Sequence, residues 1–266
     1  MTLPERKDTW ASGTSYESYV GRWSRLVAHQ FLTWLAISPD ASWLDVGCGT
    51  GALSQTILEV ASPRQVVGID PSDSYLALAR EQIQDPRTAF RLGDAQSLPV
   101  ESSAYDAVVC GLALNFVPRP AVALSEMARA ARKGGTVAAY VWDYADQMQL
   151  MRYFWDAAVA LDEAAHLLDE GQRFPLCQPE PLLQLFQAAE LGDVQVRSID
   201  VVTTFRDFDD YWFPFLGGQG PAPGYVMSLS DERRAALREH LRAVLPIEVN
   251  GSIRLIARAW AVRGVR

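Results

Sequence analysis

The sequence has few of the residues that build covalent or metal-bound scaffolds. Its 266 residues include only three cysteines and three histidines. An odd and sparse set of cysteines argues against a disulfide framework, and it predicts a reducing compartment such as the cytoplasm. The cysteines and histidines are dispersed along the chain and lack the close spacing of metal ligands, so we expect no metal site.

Long apolar stretches are also missing. No apolar run reaches the ~18 residues of a membrane-spanning helix, and the chain starts with polar residues (5–8) where a secretory signal would be apolar. We therefore expect neither a membrane partner nor secretion. A hydrophobic content of 49% and a charged content of 21% are typical of globular proteins, and the length suits one large α/β domain with inserted segments.

Positive charge is scarce over most of the chain. The formal net charge is −8, which argues against nucleic acid as a main partner because phosphate binding needs a basic surface. Residues 230–266 depart from this trend with eight arginines and four acids, which leaves −12 for the other residues. We interpret the arginines mainly as a solvated helix face and alternate residues of an edge strand. An anion-binding role is the alternative.

Strand-like and helix-like patterns alternate from residue 42 onward. The patterns predict strands over 42–47, 65–70, 88–92, 105–110 and 135–142, separated by helices over 52–61, 73–84 and 121–131. Such alternation is typical of a doubly wound, mostly parallel sheet. Further helices are expected over 150–168 and 182–189, and strands over 193–202 and 251–262.

We predict one domain in three parts. Residues 1–40 form an N-terminal helical cap, residues 41–204 and 246–266 form the core, and residues 205–245 form an insertion. The insertion carries an aromatic cluster (211–215) next to a stretch rich in glycine and proline (217–224). This combination suggests a lid with a hinge, and the alternative is simple packing of the insertion on the sheet.

The most informative segment is Trp43–Ala52, which predicts a buried strand, a glycine turn and the start of a helix. The strand carries Asp45, and the glycines Gly47, Gly49 and Gly51 alternate after it. A second strand then ends at Asp70. Glycines at such a turn allow close approach of a ligand, and an acid at the end of the next strand suits a nucleoside-containing cofactor.

These residues resemble motif I of the class I S-adenosylmethionine (SAM)-dependent methyltransferases. Asp70, the Gly93–Pro99 loop, the Tyr105–Cys110 strand and the Lys133–Thr136 turn match later elements of that family in order and spacing. The resemblance covers about residues 43–142 and is nearest to small-molecule enzymes related to ubiquinone and menaquinone methylation. It implies a seven-stranded, Rossmann-like sheet that ends in an antiparallel pair, and a small-molecule acceptor.

The resemblance also implies roles in binding SAM. Asp45 would balance the methionine ammonium, the three glycines would pass close to the methionine and sugar, and Asp70 would accept the ribose hydroxyls. Asp94 and the amide of Ala95 would bind the adenine, and Leu112 would line the adenosine region. Arg22 is a candidate for the methionine carboxylate; packing of an amphipathic helix explains its neighbours, including Tyr16 and Tyr19, equally well.

Expectations for the acceptor side rest on position alone. The proposed substrate-pocket residues follow predicted strands or belong to the insertion: Phe116, Trp142, Tyr144, Tyr211 and Trp212. Asp143 and His166 are weak candidates for a general base, and the transfer itself needs none. The sequence motifs of amino-directed and cytosine-directed nucleic-acid methyltransferases are absent.

Two alternatives stay open. The pattern Gly47-x-Gly49-x-x-Ala52, with an acid further on, also satisfies the looser dinucleotide signature, so an NAD(P)-dependent oxidoreductase is one alternative. A SAM-binding protein without transfer activity is the other.

Overall fold

A computed structural model of the protein describes residues 22–217 and 220–266. One sheet organises these residues. Its seven strands are β1 (Ser42–Val46), β2 (Gln65–Asp70), β3 (Thr88–Leu92), β4 (Tyr105–Gly111), β5 (Ala131–Trp142), β6 (Gly192–Phe205) and β7 (Ile253–Val265). The strand order is β3-β2-β1-β4-β5-β7-β6. The first five strands run parallel to one another, and β7 runs antiparallel to both β5 and β6. The predicted α/β class is confirmed.

Helices connect and cover the strands. The α-helices are α1 (Arg22–Leu35), α2 (Ala52–Val60), α3 (Asp73–Gln82), α4 (Pro120–Ala130), α5 (Gln149–Leu161), α6 (Glu170–Arg173), α7 (Pro179–Ala188), α8 (Phe208–Trp212), α9 (Pro221–Ser228) and α10 (Asp231–Val244). Short 3₁₀ helices cover Leu114–Phe116, Glu163–Leu168, Pro175–Cys177 and Phe213–Gly217.

The central strand β1 is buried along its whole length. Leu44 pairs with Val67 of β2 on one side and with Val108 of β4 on the other. A strand of a parallel sheet is apolar on both faces because helices cover both. This burial explains why the run Trp43–Val46 is apolar except for Asp45, whose polar side chain needs a local reason.

Two sequence-based boundaries need correction. The helix predicted over 150–168 ends at Leu161, and a 3₁₀ helix follows because the Asp162 carboxylate accepts the amide of Ala164 and caps a new start. Residues 221–224 of the predicted hinge are helical: α9 begins at Pro221, after Gly220 at a φ of 87°. Proline suits this position because the backbone amides of the first helical turn have no hydrogen-bond partner within the helix, so the missing N–H costs nothing.

The aromatic cluster of the insertion lies largely in the core. Phe215 is fully buried and stacks on Phe154 of α5 with ring centroids 4.5 Å apart. Tyr211 is also fully buried and donates its hydroxyl to the carbonyl of Leu150. Trp212 is buried beside Phe215. Packing, the simpler alternative, therefore describes this segment.

The C-terminal arginines make structural contacts. Strand β7 lies between β5 and β6, so it is an inner strand and not the edge strand that we expected. Arg258 on β7 forms two hydrogen bonds, of 2.7 and 2.8 Å, with the Asp200 carboxylate on β6. Arg242 on α10 lies 4.0 Å from the ring centroid of Phe208. These pairs explain part of the local positive charge without a bound anion.

Residues 22–217 and 220–266 lack two features. No helix there is long and apolar enough to cross a membrane. No group of three or more histidine, cysteine, aspartate or glutamate side chains is placed to hold a metal ion in that part of the chain.

Candidate functional site

A cavity of about 370 Å³ opens at the carboxyl ends of β1, β2 and β4. In open α/β sheets, ligands bind at this edge, where the strand order reverses. The lining contains eight of the predicted site residues: Asp45, Gly47, Gly49, Asp70, Asp94, Ala95, Leu112 and Phe116. The fold thus brings residues from four separate loops to one place.

The three glycines of the turn serve different purposes. A Cβ atom on Gly47 would lie 2.6 Å from the Cβ of Ala113, so this glycine allows close contact with the loop after β4. A Cβ on Gly49 would meet nothing within 4 Å, and Gly49 lines the cavity. Gly51 has a φ of 90°, and a Cβ there would lie 2.6 Å from Ile83. Gly51, predicted as a cofactor residue, lies outside the cavity lining and serves packing.

Asp70 is held by two backbone amides. Its Oδ2 accepts from Gly49 and its Oδ1 accepts from Ser72, each at 2.8 Å. Burial raises the pKa of this carboxyl, while the two amide hydrogen bonds act in the opposite direction. The carboxylate therefore lies at the cavity in a fixed orientation.

Asp45 has fewer hydrogen bonds to described residues than the other two acids of the cavity. It is buried, and Ser54 of α2 donates its hydroxyl to Oδ2 at 2.7 Å. The other oxygen, Oδ1, has no hydrogen-bond partner among the described residues. Burial, partly offset by Ser54 and reinforced by the charge of Asp70, raises the pKa of Asp45 to about 7. Sequence reasoning missed Ser54, although it lies on the first turn of the helix that follows the glycines.

The loop after β4 carries a strained residue. Leu112 has a φ of 58°, a left-handed conformation that is uncommon for leucine. Its amide donates to the carbonyl of Tyr140 on β5 at 2.8 Å, and Leu112 lines the cavity. Strained backbone that the surrounding structure holds in place is typical of functional sites.

The loop after β3 supplies the opposite wall. The Asp94 carboxylate accepts the backbone amide of Gln96 at 2.9 Å, which makes a local turn. Gln96 in turn accepts a hydrogen bond from the side chain of Arg119. Asp94 and Ala95 both line the cavity, as predicted. The turn fixes the direction of this loop, and their roles toward an adenine stay predictions.

Tyr75 is a cavity residue that sequence reasoning missed. It lies in the first turn of α3, five residues after Asp70, and it lines the cavity. Its hydroxyl is buried without a partner among the described residues. Burial and the charge of Asp70 raise the pKa of Tyr75 to about 12, so the hydroxyl stays a neutral donor. The available signal was its position on the first helical turn after the acid.

The charged residues in the described lining all have one sign. They are Asp45, Asp70 and Asp94; no lysine, arginine or histidine of the described residues belongs to the lining. A site of this kind favours a ligand that carries positive charge and disfavours one that carries phosphate.

Both candidate bases lie elsewhere. The Asp143 carboxylate caps a turn by accepting the amides of Asp146 and Gln147, and burial raises its pKa. His166 is exposed, and its Nδ1 is bonded to the carbonyl of Glu163. Neither belongs to the cavity lining, so the structure does not support either as a general base at this site.

Four predicted pocket residues also miss the cavity. Trp142 is buried at the end of β5, and Tyr144 is buried with its ring 6.3 Å from that of Phe174. Tyr211 and Trp212 lie in the core, as described above. The lining contains none of the four, because strand ends and helix contacts turn these side chains into the protein. Only Phe116 of the predicted pocket set reaches the cavity.

The predicted contact from the N-terminal cap lies outside the described structure. Arg22 begins helix α1, but its side chain is outside the described residues, as are Tyr16 and Tyr19. Ser24, two residues further along α1, lines the cavity. This placement brings the start of α1 to the site.

Comparisons with known proteins agree with this arrangement. Residues 44–139 match a family model described as a methyltransferase domain. A demethylmenaquinone methyltransferase of Staphylococcus aureus is 31% identical over 170 residues, which cover 58% of this chain and 69% of that protein. A 37.1 kDa protein of a Streptomyces fradiae transposon is 37% identical over 99 residues, but this chain spans only 29% of its length.

Solved structures share the fold. A Bacillus halodurans protein assigned as a methyltransferase superposes with a TM-score of 0.60 at 16% identity, covering 90% of this chain and 97% of that one. A likeness at such low sequence identity shows the fold alone. The Staphylococcus relative, in contrast, aligns in sequence with this chain over more than two thirds of its own length. The sequence relatives and the shared sheet, together with the acids at its carboxyl edge, place this chain in the class I S-adenosylmethionine-dependent methyltransferases.

Proposed function

We propose that the protein transfers a methyl group from SAM to a small-molecule acceptor with an apolar or planar part. The observation that carries the proposal is Asp45, whose buried Oδ1 faces no donor among the described residues although the group lines the cavity. A buried carboxylate without a counter-charge is costly, and a ligand ammonium would remove that cost.

The charge of the cavity separates SAM from a dinucleotide. NAD(P) places a pyrophosphate at the glycine turn, where free amides receive it. Here the amide of Gly49 already donates to Asp70, and the described lining holds three acids and no cation. SAM carries an ammonium and a sulfonium, so its charge suits this lining and that of a pyrophosphate does not.

The residues of this chain act by binding and orientation. When bound, SAM supplies a methyl group activated on a positively charged sulfur. Asp45 would hold the ammonium and Asp70 the ribose hydroxyls, and the Leu112 loop would lie against the part of the ligand between them. Transfer is an in-line displacement, for which correct placement of the two reactants supplies much of the rate. Because Asp143 and His166 lie outside the cavity, no step is assigned to them.

The acceptor class is supported by relatives and by shape. The Staphylococcus relative is named for a methyl transfer to demethylmenaquinone, a small molecule with a planar ring. Apolar residues such as Leu112, Phe116 and Val117 line the side of the cavity formed by the loop after β4. An apolar or planar acceptor would lie against such residues with little desolvation cost.

Two measurements test the proposal. Calorimetric titrations with SAM, S-adenosylhomocysteine and NAD⁺ should show binding of the first two only, and tighter binding of NAD⁺ would overturn it. A screen with methyl-labelled SAM over quinols, phenols, catechols and amines should then reveal a labelled product. Binding of SAM with no transfer to any member of a broad panel would favour the binding-protein alternative.

A further inference from the structure

Two partly exposed phenylalanines are in contact beside the cavity, which Phe116 lines and Phe174 does not. Phe116 ends the 3₁₀ helix after β4, lines the cavity and is still 37% exposed. The ring of Phe174 meets it edge-on, with centroids 5.1 Å apart and planes at 79°. The buried Tyr144 ring lies behind Phe174 at 6.3 Å. We call these three residues the aromatic wall.

The segment that carries Phe174 is fixed on α5 by polar contacts. Asp169 accepts a 2.7 Å hydrogen bond from Arg152, with both side chains largely buried. The adjacent Glu170 accepts the indole N–H of Trp155. Side chains that must meet a ligand are more effective when their support is rigid, and these contacts supply such support next to Phe174.

Close backbone packing adds to this rigidity. A Cβ on Gly171 would lie 2.8 Å from the carbonyl oxygen of Tyr144, so the turn before Phe174 fits tightly against the chain after β5. The guanidinium of Arg173 lies 5.2 Å from the centroid of the Phe174 ring. The orientation of Phe174 is therefore determined by its own segment as well as by Phe116.

We propose that Phe174 is a specificity-determining residue, against which, together with Phe116, the planar aromatic ring of the methyl acceptor packs. The inference rests on the proposed function and assigns its acceptor class. Phe116 and Leu112 belong to one loop at the cavity. A ring that lies on Phe116 thus has its edge at the cavity, where the methyl group would be presented. Aromatic rings favour edge-to-face and offset contacts of the kind this wall offers.

The aromatic wall, and not the insertion, would be the surface that contacts the acceptor. No described residue of 205–245 lines the cavity, and the aromatic cluster of that insertion packs against α5. The segment Asp169–Cys177 instead packs against the helix that carries Phe116. The acceptor side would thus be built by Phe116 after β4 and by the connection between β5 and α7.

Binding of 1-naphthol to the full chain saturated with S-adenosylhomocysteine tests the proposal, because no transfer can occur. Calorimetry should show binding to the parent, and Phe174→Ala should weaken it at least about tenfold. Phe174→Tyr keeps the ring and should stay within about threefold of the parent. Phe213→Ala is the matched control, because Phe213 is 62% exposed on the insertion and should not matter.

The outcomes separate the two proposals. S-adenosylhomocysteine should bind the parent and all variants equally, which also shows that they fold. Equal 1-naphthol affinity for the parent and Phe174→Ala would overturn the role of Phe174, as would no 1-naphthol binding to the saturated parent. A parent that binds no S-adenosylhomocysteine would instead contradict the proposed function itself.

Discussion

The backbone amide of Gly49 donates a 2.8 Å hydrogen bond to Oδ2 of Asp70, which links the glycine turn after β1 to the acid that ends β2. This bond orients the carboxylate toward the cavity and uses an amide that a dinucleotide would need. The same interaction thus contributes to the geometry of the site and to its choice of ligand.

Replacing Asp70 tests that link. Asp70→Ala should weaken SAM binding about tenfold to a hundredfold, because charged hydrogen bonds contribute roughly 1.5–3 kcal/mol. Calorimetry measures the affinity, and circular dichroism checks that the variant folds. Asp73→Ala is the matched control, since Asp73 is an exposed acid three residues further on. Unchanged affinity in Asp70→Ala would remove this residue from the binding site.

Substitutions at Gly49 and Gly51 should differ in their effect on SAM binding. A side chain at Gly49 would enter the cavity, so Gly49→Val should abolish SAM binding, and it should also lower the unfolding free energy because Gly49 has a φ of 54°. Gly51→Ala puts a Cβ at a φ of 90° and against Ile83, so it should lower the unfolding free energy by about 1–3 kcal/mol. Urea unfolding and SAM titration of both variants would reveal whether this division is correct.

The raised pKa of Asp45 predicts pH-dependent binding. With a pKa of about 7, Asp45 is mostly protonated at pH 6 in the free protein. A bound ammonium would favour the carboxylate, so binding at pH 6 should release a proton and affinity should rise between pH 6 and 7.5. Calorimetry in buffers of different ionisation enthalpy measures this release. Asp45→Asn should show none, and proton uptake by the parent would contradict the assignment.

Glu170 should make stability depend on pH. Burial raises the pKa of this acid to about 8, well above its ordinary value of 4.5. Between these two values the folded protein holds a proton that the unfolded chain has lost, so stability should fall as pH rises from about 4.5 to 8. Urea unfolding across this range should show a flatter profile for Glu170→Gln than for the parent. The exposed Glu163→Gln should keep the parent profile.

The insertion should behave as core. Phe215→Ala should lower the unfolding free energy by about 3–5 kcal/mol, because it removes a buried ring stacked on Phe154. Phe213→Ala, at an exposed neighbouring position, should cost little. Hydrogen exchange at residues 211–215 should be slow both with and without S-adenosylhomocysteine. Protection that appears only with the ligand would restore the lid hypothesis.

The local patterns of the sequence predicted the sheet and the cofactor side of the site. Alternating strand and helix periods predicted the parallel strands, and the alternating glycines with Asp45 and Asp70 located the cavity. Each of these signals lies within a short segment of sequence, because the acids and glycines lie at strand ends. Parallel strands end at the same edge of the sheet, so these residues come together there. The same reasoning overlooked Ser54 and Tyr75, which lie in the helices directly after those strands.

Only the tertiary structure decided which aromatic side chains lie at or beside the cavity. Tyr211 donates its hydroxyl to a carbonyl 61 residues away, and Phe174 contacts Phe116 although α4, β5, α5, a 3₁₀ helix and α6 lie between them in the chain. An aromatic residue looks the same in the sequence whether its side chain lies in a core or at a binding surface. Its surroundings depend on contacts between segments that are distant along the chain. The sequence by itself thus determined the family fold and the acids of the site, while packing between distant elements decided the aromatic wall that we propose for the acceptor.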